Sequence, residues 1–207
     1  MTTFEDARVR WDRRYGEADA LFGEAPNAWL AAHAHLLPAG ARVLSLADGQ
    51  GRNGVWLAQR GCRVTAFDLS PVGIEQARRR ARALDVAIDL SVADIADWPW
   101  APDAYDAVVG IFFQFASPAL RAQIFEGVKR TLVPGGLFVL EGYGLRQLEH
   151  RTGGPGVAEN LYTMPMLLQA FEGWRIEASR DLDTSLAEGT GHAGRSHLLS
   201  MVLRKPG

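Results

Sequence analysis

The sequence predicts a doubly wound α/β fold, a mostly parallel β-sheet with helices on both faces and a terminal antiparallel pair. Three observations carry this. Between Arg42 and Glu141, short apolar runs alternate with helix-period segments, the rhythm of parallel strands joined by helical crossovers. Residues 105–113 (YDAVVGIFF) are apolar nearly throughout, as a central strand buried on both faces must be. The last two strand-like runs, 174–185 and 197–204, are separated only by 187–196. That gap is too short for a helical crossover, so the two should pair antiparallel.

The elements follow in order. Residues 3–15 read as an amphipathic helix carrying Phe4, Val9, Trp11 and Tyr15, broken at Gly16. Pro26 and Asn27 open a second helix through Trp29, Leu30, Leu36 and Leu37, stopped by Pro38 and Gly40. Residues 42–47 (RVLSLA) form a first strand, 48–53 a glycine-rich turn, 54–60 a helix ended by Gly61, and 63–68 (RVTAFD) a second strand. Pro71 begins a helix to about Leu84; 86–92 is a third strand and 105–113 the fourth. Pro118 begins a helix to Leu132, Pro134-Gly135-Gly136 turns the chain, and 137–141 is the fifth strand. Residues 144–156 are glycine-rich and read as a loop or lid, followed by a helix over 164–171. The whole reads as a single domain: a helical lead-in (1–40), a core (41–143), and a lid with terminal strands (144–207).

Composition narrows the function. Among 207 residues, 47% are hydrophobic, and 22 Lys plus Arg nearly balance 24 Asp plus Glu for a net charge of −2. No overall basic field exists to wrap nucleic acid or an anionic membrane, so neither is expected as a partner. No apolar window reaches the 18 or more residues of a bilayer span, and residues 1–14 mix acids with arginines unlike a secretory signal. Cys62 is the lone cysteine, which excludes an internal disulfide framework and a multi-cysteine zinc site; a cytoplasmic setting follows. His33 and His35, two apart on a helix, face different ways, and His150 and His197 show no ligand spacing, so no metal is expected.

The chemistry concentrates in the glycine turn. Gly49, Gly51 and Gly54 form G-x-G-x-x-G directly after a strand and opening a helix, where glycines let the backbone approach a ligand and free N–H groups favour negative charge. Asp68 ends the next strand about 20 residues on, where a carboxylate can accept both ribose hydroxyls. Asp94, after the third strand, stands where an adenine amino group would donate. Together these point to an adenosine-type cofactor. A nicotinamide enzyme shares the fingerprint, but a second mononucleotide half and a substrate domain leave little room in this length.

Three segments resemble class I S-adenosylmethionine-dependent methyltransferases: 43–53 (VLSLADGQGRN), 64–70 (VTAFDLS) and 134–141 (PGGLFVLE). Within that superfamily the chain is most similar to the small bacterial enzymes grouped with tellurite-resistance and thiopurine methyltransferases. That similarity extends to Trp11-Asp12-Arg13-Arg14-Tyr15, Pro26-Asn27-Ala28-Trp29-Leu30, Glu188-Gly189 and His192-Ala193-Gly194. The resemblance implies a Rossmann-like seven-stranded sheet, mostly parallel with the last strand antiparallel. It implies S-adenosylmethionine as cofactor, released as S-adenosylhomocysteine. Gly49 and Gly51 would pack on the methionine moiety, Asp68 would hold the ribose, and Asp94 with Ile95 would border the adenine. Ser45, Ala47, Asp48, Arg52, Asn53, Leu69 and Ile111 complete the implied cofactor set. Ser45 stands where many relatives carry an acid and Ala47 where glycine is usual, with Asp48 as the nearest substitute acid.

On the acceptor side three residues are candidates. Glu141 closes an apolar run, where a carboxylate must be near solvent, paired or functional. His192 and Arg195 fall in the segment between the last two strands, the first as a base or its orienter, the second as an oxyanion holder. Their alternative is a solvated hairpin loop, and Glu141's is structural pairing. The Asn/Asp-Pro-Pro-aromatic motif of base-amino methylation is absent after strand four, where Gln114 is the polar residue among Phe112, Phe113 and Phe115. The expected acceptor is a small molecule, a tellurium or selenium oxyanion-derived species or a thiol by resemblance, and the expected assembly a monomer or homodimer. The alternatives are an NAD-dependent oxidoreductase and a non-catalytic S-adenosylmethionine-binding protein.

Overall fold

The computed structural model describes residues 4–207. Of the first predicted helix, Thr3 lies outside the described residues; the rest is α1 (Phe4–Gly16). Helix α2 (Ala28–His33) is capped by Asn27, whose Oδ1 accepts from the Leu30 N–H at 3.1 Å, and runs into a 3-10 turn over Ala34–Leu36. The parallel strands are β1 (Arg42–Leu46), β2 (Arg63–Asp68), β3 (Asp89–Val92), β4 (Tyr105–Ile111) and β5 (Leu132–Tyr143). Between them lie α3 (Arg52–Gln59), α4 (Pro71–Ala83) and α5 (Pro118–Thr131). Ser70 and Ser117 cap α4 and α5, each followed by a proline whose missing N–H costs nothing in the first turn. Short α6 (Gln147–His150) and α7 (Met164–Ala170) precede β6 (Arg175–Glu188) and β7 (His192–Arg204).

The seven strands form one sheet in the order β3-β2-β1-β4-β5-β7-β6, with β7 antiparallel to both neighbours. This is the predicted doubly wound, Rossmann-like architecture. Alternation along each strand builds a core on each face. Leu44, Val108, Phe138 and Leu140 pack under α5 and α7, while Val43, Val109 and Val139 pack with Trp29, Leu30 and Leu57 on the other face.

Helix α3 begins at Arg52, inside the expected turn, α6 falls within the expected loop 144–156, and four other boundaries differ from expectation. Strand β3 starts at Asp89, not 86, because Asp85 is left-handed and the Val86 N–H turns back to the Ala81 carbonyl, finishing α4. Strand β4 ends at Ile111 because Phe112 takes a positive φ of 54°. Pro134-Gly135-Gly136 lies inside β5 as an irregularity opposite Tyr105–Ala107, a position that tolerates a proline without an N–H. Residues 187–196 are not a loop: the two last strands pair to Glu188 and His192, leaving only 189–191 as the turn.

Candidate active site

A cavity of about 880 Å³ opens at the carboxyl ends of the parallel strands, where open α/β sheets bind ligands. The glycine turn forms its floor. Asp68 accepts from the Gly49 N–H (2.9 Å) and the Ser70 N–H (2.9 Å), tying the turn after β1 to the cap of α4. Asp48 accepts from Ser45 Oγ (2.7 Å) and from the Gly54 N–H (3.0 Å). Asp48 is thus bonded to the serine at which the resemblance would place an acid. Burial pushes Asp48 up to about 7 and Asp68 up to about 6, against the hydrogen bonds that favour their charged forms. Gly51 is left-handed (φ 79°), and a Cβ there would lie 2.8 Å from Ala77 Cβ.

Helix α1 covers this floor. Tyr15 is buried over Gly49, where a Cβ would stand 2.6 Å from its Oη, and stacks on Trp11 with ring centroids 5.5 Å apart. The Arg14 guanidinium lies 4.7 Å from the Trp11 ring and 5.7 Å from that of Phe22. Ser70 Oγ donates to Asp12 at 2.5 Å, fastening α1 to the cap of α4.

The far end of the cavity is aromatic. His192 lies between Phe22 and Phe112, with centroids 4.3 and 4.2 Å away, and Tyr143 meets it edge-on at 5.8 Å. Glycines put it there. The hairpin tip packs on segment 21–23, with the Gly191 N–H donating to the Leu21 carbonyl at 2.8 Å, and a Cβ at Gly189 would strike the backbone of Leu21 and Gly23. Behind His192, Glu188 accepts from Arg52 Nη2 (2.7 Å) and lies 3.9 Å from His192 Nδ1. Burial would raise the Glu188 carboxyl, but His192 and Arg52 outweigh it and hold it at about 2. Burial lowers the imidazole of His192, and Glu188 opposes only part of that shift.

Of the residues singled out from sequence, Ala47, Asp48, Gly49, Arg52, Asn53, Asp68, Leu69, Asp94, Ile95, Ile111 and His192 line the cavity. Ser45 and Gly51 support it from beneath. Two acceptor-side candidates lie elsewhere. Glu141, 1% exposed, accepts from Asn27 Nδ2 (2.7 Å), Arg180 Nη2 (2.5 Å) and Ser200 Oγ (2.5 Å) in a buried network that does not line the cavity. Its structural alternative is what the fold contains. Arg195 is three residues past His192 on one strand, hence on the opposite face, solvent-exposed with Asp183 3.5 Å away. Gln114 holds the backbone of Tyr143 by two hydrogen bonds. His197 Nε2 meets Asp181 at 2.7 Å, and among the described residues no cluster suits a metal ion. Sequence reasoning passed over Tyr143, Phe22, Gly153, Gly154, Pro155 and Gly156 as site residues. An aromatic residue two beyond Glu141, at the carboxyl end of β5, was the available signal for Tyr143.

Residues 43–136 match a family described as a methyltransferase domain. Over 102 residues the chain is 36% identical to demethylmenaquinone methyltransferase of Clavibacter sepedonicus, covering 49% of this chain and 41% of that protein. The chain spans less than half the length of the curated relatives it matches. Among solved structures, one described as "Conversion of a Disulfide Bond into a Thioacetal Group during Echinomycin Biosynthesis" superposes with a TM-score of 0.76 at 22% identity, covering 97% of this chain and 92% of the other. TehB from Haemophilus influenzae superposes with a TM-score of 0.69 at 20% identity, covering 86% and 61%. Identities this low speak to the fold. Residues 43–136, just under half of the chain, are thus similar to a methyltransferase domain, and the whole chain shares the fold of these solved structures. TehB-like proteins are among its structural neighbours, beside a protein of Methanosarcina mazei described as a SAM-dependent methyltransferase.

Proposed function

We propose that this protein transfers the methyl group of S-adenosylmethionine to a small-molecule acceptor bound among Phe22, Phe112, Tyr143 and His192. The observation carrying the reading is one continuous cavity with two chemically distinct ends: buried acids on a glycine turn at one, an aromatic chamber with a histidine at the other.

The donor groups fit the cofactor. Asp68 at the end of β2 suits the ribose hydroxyls, and Asp94 with Ile95 suits the adenine edge. Among the described residues, the cations lining the cavity are Arg10, Arg14 and Arg52. Arg52 is committed to Glu188 and the Phe22 carbonyl, whereas Arg14 has no carboxylate partner among the described residues and adjoins Tyr15 over Gly49. Arg14 is thus assigned to the methionyl carboxylate. When bound, the cofactor supplies a methyl group on a sulfonium whose departure yields a neutral thioether. What remains for the protein is alignment and exclusion of water, worth about 7–11 kcal/mol in well-oriented reactions. Helix α1 and segment 153–157 both line the cavity.

The acceptor we favour is a soft nucleophile, a thiol or a reduced tellurium or selenium species. The resemblance to the tellurite-resistance and thiopurine group supports this. Calorimetric titration with S-adenosylmethionine, S-adenosylhomocysteine and NAD in parallel tests the cofactor. Micromolar binding of the first two without the third is expected, and binding of NAD alone would overturn the reading. Expression in a tellurite-sensitive host with neither resistance nor volatile methylated product would remove the tellurium acceptor.

A further inference from the structure

We propose that the aromatic chamber is a deprotonation site for a small thiol: the acceptor enters as a neutral S–H, His192 Nε2 takes its proton, Glu188 positions the imidazole and Tyr143 Oη hydrogen-bonds the sulfur. This rests on the methyltransferase reading and narrows its acceptor.

Two unpartnered buried polar groups point to a ligand here. Tyr143, 2% exposed, lines the cavity, and its Oη has no hydrogen-bond partner among the described residues. A buried phenol without a partner is costly unless something else completes it. Its backbone is held by Gln114, and Gly154 lies against its ring so closely that a Cβ there would stand 2.6 Å from Cδ2. The ring is therefore fixed. His192, 8% exposed, is gripped between Phe22 and Phe112, and its Nδ1 is buried on the side of Glu188. That Nδ1 has no hydrogen-bond partner among the described residues, and the ring itself lines the cavity. Glu188 favours the tautomer with its hydrogen on Nδ1, and that leaves the Nε2 lone pair free. Phe112 holds its place at a positive φ of 54°, a strained setting of the kind that clusters at functional sites.

The charges around the imidazole select the protonation state of the acceptor. Facing it are Glu188 from the hairpin, Arg52 from α3, Arg14 from α1 and Tyr143 from β5. Arg52 is neutralised by Glu188. Arg14 lies across Phe22, on the side of the glycine turn. With Glu188 and Arg52 compensating each other, the chamber holds no net charge to receive an anionic acceptor, which suits a neutral protic one. Proton affinity then distinguishes sulfur from oxygen. A free thiol, with a pKa of about 8.5, is the closer match even to an imidazole lowered by burial, while an aliphatic hydroxyl is a far weaker acid. Aromatic walls also suit sulfur.

The step balances. The S–H bond breaks and its proton goes to Nε2. The electron pair left on sulfur forms the new bond to the methyl carbon, and the pair of the old bond leaves with the sulfonium sulfur. Two neutral thioethers result, with the single positive charge on an imidazolium whose Nδ1 side faces Glu188.

The test compares two thiols on the full chain: phenylmethanethiol, protonated at pH 7.5, and 4-nitrothiophenol, already ionised there. His192→Gln should lower methylation of the first at least 100-fold and of the second less than fivefold, with S-adenosylhomocysteine affinity within threefold of wild type. Tyr143→Phe should lower kcat on the first about tenfold with the same cofactor affinity. Glu188→Gln should move the acidic limb of the pH–rate profile to lower pH, matched by the His192 titration followed by NMR on labelled histidine. Equal losses on both thiols in His192→Gln would overturn the proposal, as would a wild-type protein that binds S-adenosylmethionine yet methylates neither. A protein that binds no S-adenosylmethionine would instead fail the methyltransferase reading itself.

Discussion

Glu141 was a candidate for acceptor contact by sequence, and its environment makes a sharp prediction about what it does. Consider Glu141→Gln, which keeps the shape and removes one acceptor and the charge. Oε1 receives Asn27 Nδ2 and Oε2 receives both Arg180 Nη2 and Ser200 Oγ. The serine hydroxyl can rotate, but Asn27 cannot flip without giving up the cap of α2, where its Oδ1 accepts from Leu30. The new amide therefore faces a donor with a donor wherever it turns. A hydrogen bond to a charged group is worth about 1.5–3 kcal/mol, and the Arg180 ion pair adds less because that side chain is 28% exposed. The expected loss is about 3 kcal/mol. For a chain of this size that lowers Tm by about 6–12 °C. Calorimetric melting of the two proteins, with S-adenosylhomocysteine titration at 20 °C, measures both consequences. A lower Tm with cofactor affinity within threefold is expected. An unchanged Tm with methyl transfer abolished would refute the reasoning and return Glu141 to the acceptor site.

Other consequences follow from the same geometry. Asp48 and Asp68 have folded-state pKa values of about 7 and about 6, above the ordinary value of 3.8. The stability each contributes is complete below about pH 4 and is lost as pH rises through those values. Asp48→Asn should therefore gain on wild type by about 3–4 kcal/mol between pH 4 and 8, read by urea unfolding at a series of pH values; parallel curves would contradict it. Asp68→Ala should weaken S-adenosylmethionine binding at least tenfold, about 1.4 kcal/mol, by calorimetry, and unchanged affinity would take Asp68 out of the ribose site. At Gly189 the φ of 67° and the nearby backbone of Leu21 and Gly23 leave no space for a methyl group. Gly189→Ala should lift the hairpin from segment 21–23 and cost about 2 kcal/mol or more in urea unfolding, along with ordered packing of His192. Wild-type stability in that variant would show the tip to be loosely held.

Much of the fold was legible because its signals are local. Ser70-Pro71 and Ser117-Pro118 announce helix starts within two residues, the glycine turn announces a backbone that must bend sharply, and the apolar run in β4 can only be a strand buried on both faces. Even the antiparallel end of the sheet followed from the shortness of one connection. The glycine-turn half of the cavity inherits this legibility, since Ala47 to Asn53, Asp68 and Asp94 stand at strand ends that the alternating pattern locates. Where expectation and structure part, the cause is a contact between distant segments. Strand β7 extends to His192 because the hairpin tip rests on residues 21–23, and β4 stops at Ile111 because Phe112 turns under His192.

By itself, then, the sequence determined the architecture and the residues that surround the glycine turn, because short-range periodicity, capping and turn chemistry specify strand ends without reference to the rest of the chain. Only the tertiary structure decided what the isolated polar residues do. Glu141 is satisfied by Asn27, Arg180 and Ser200, which lie far from it in sequence, and Arg195 faces away from His192 because a strand alternates its sides. Tyr143 and His192 become one site only when β5, the hairpin and segment 21–23 meet. A polar side chain acquires its role from its partners, and those partners are brought to it by folding.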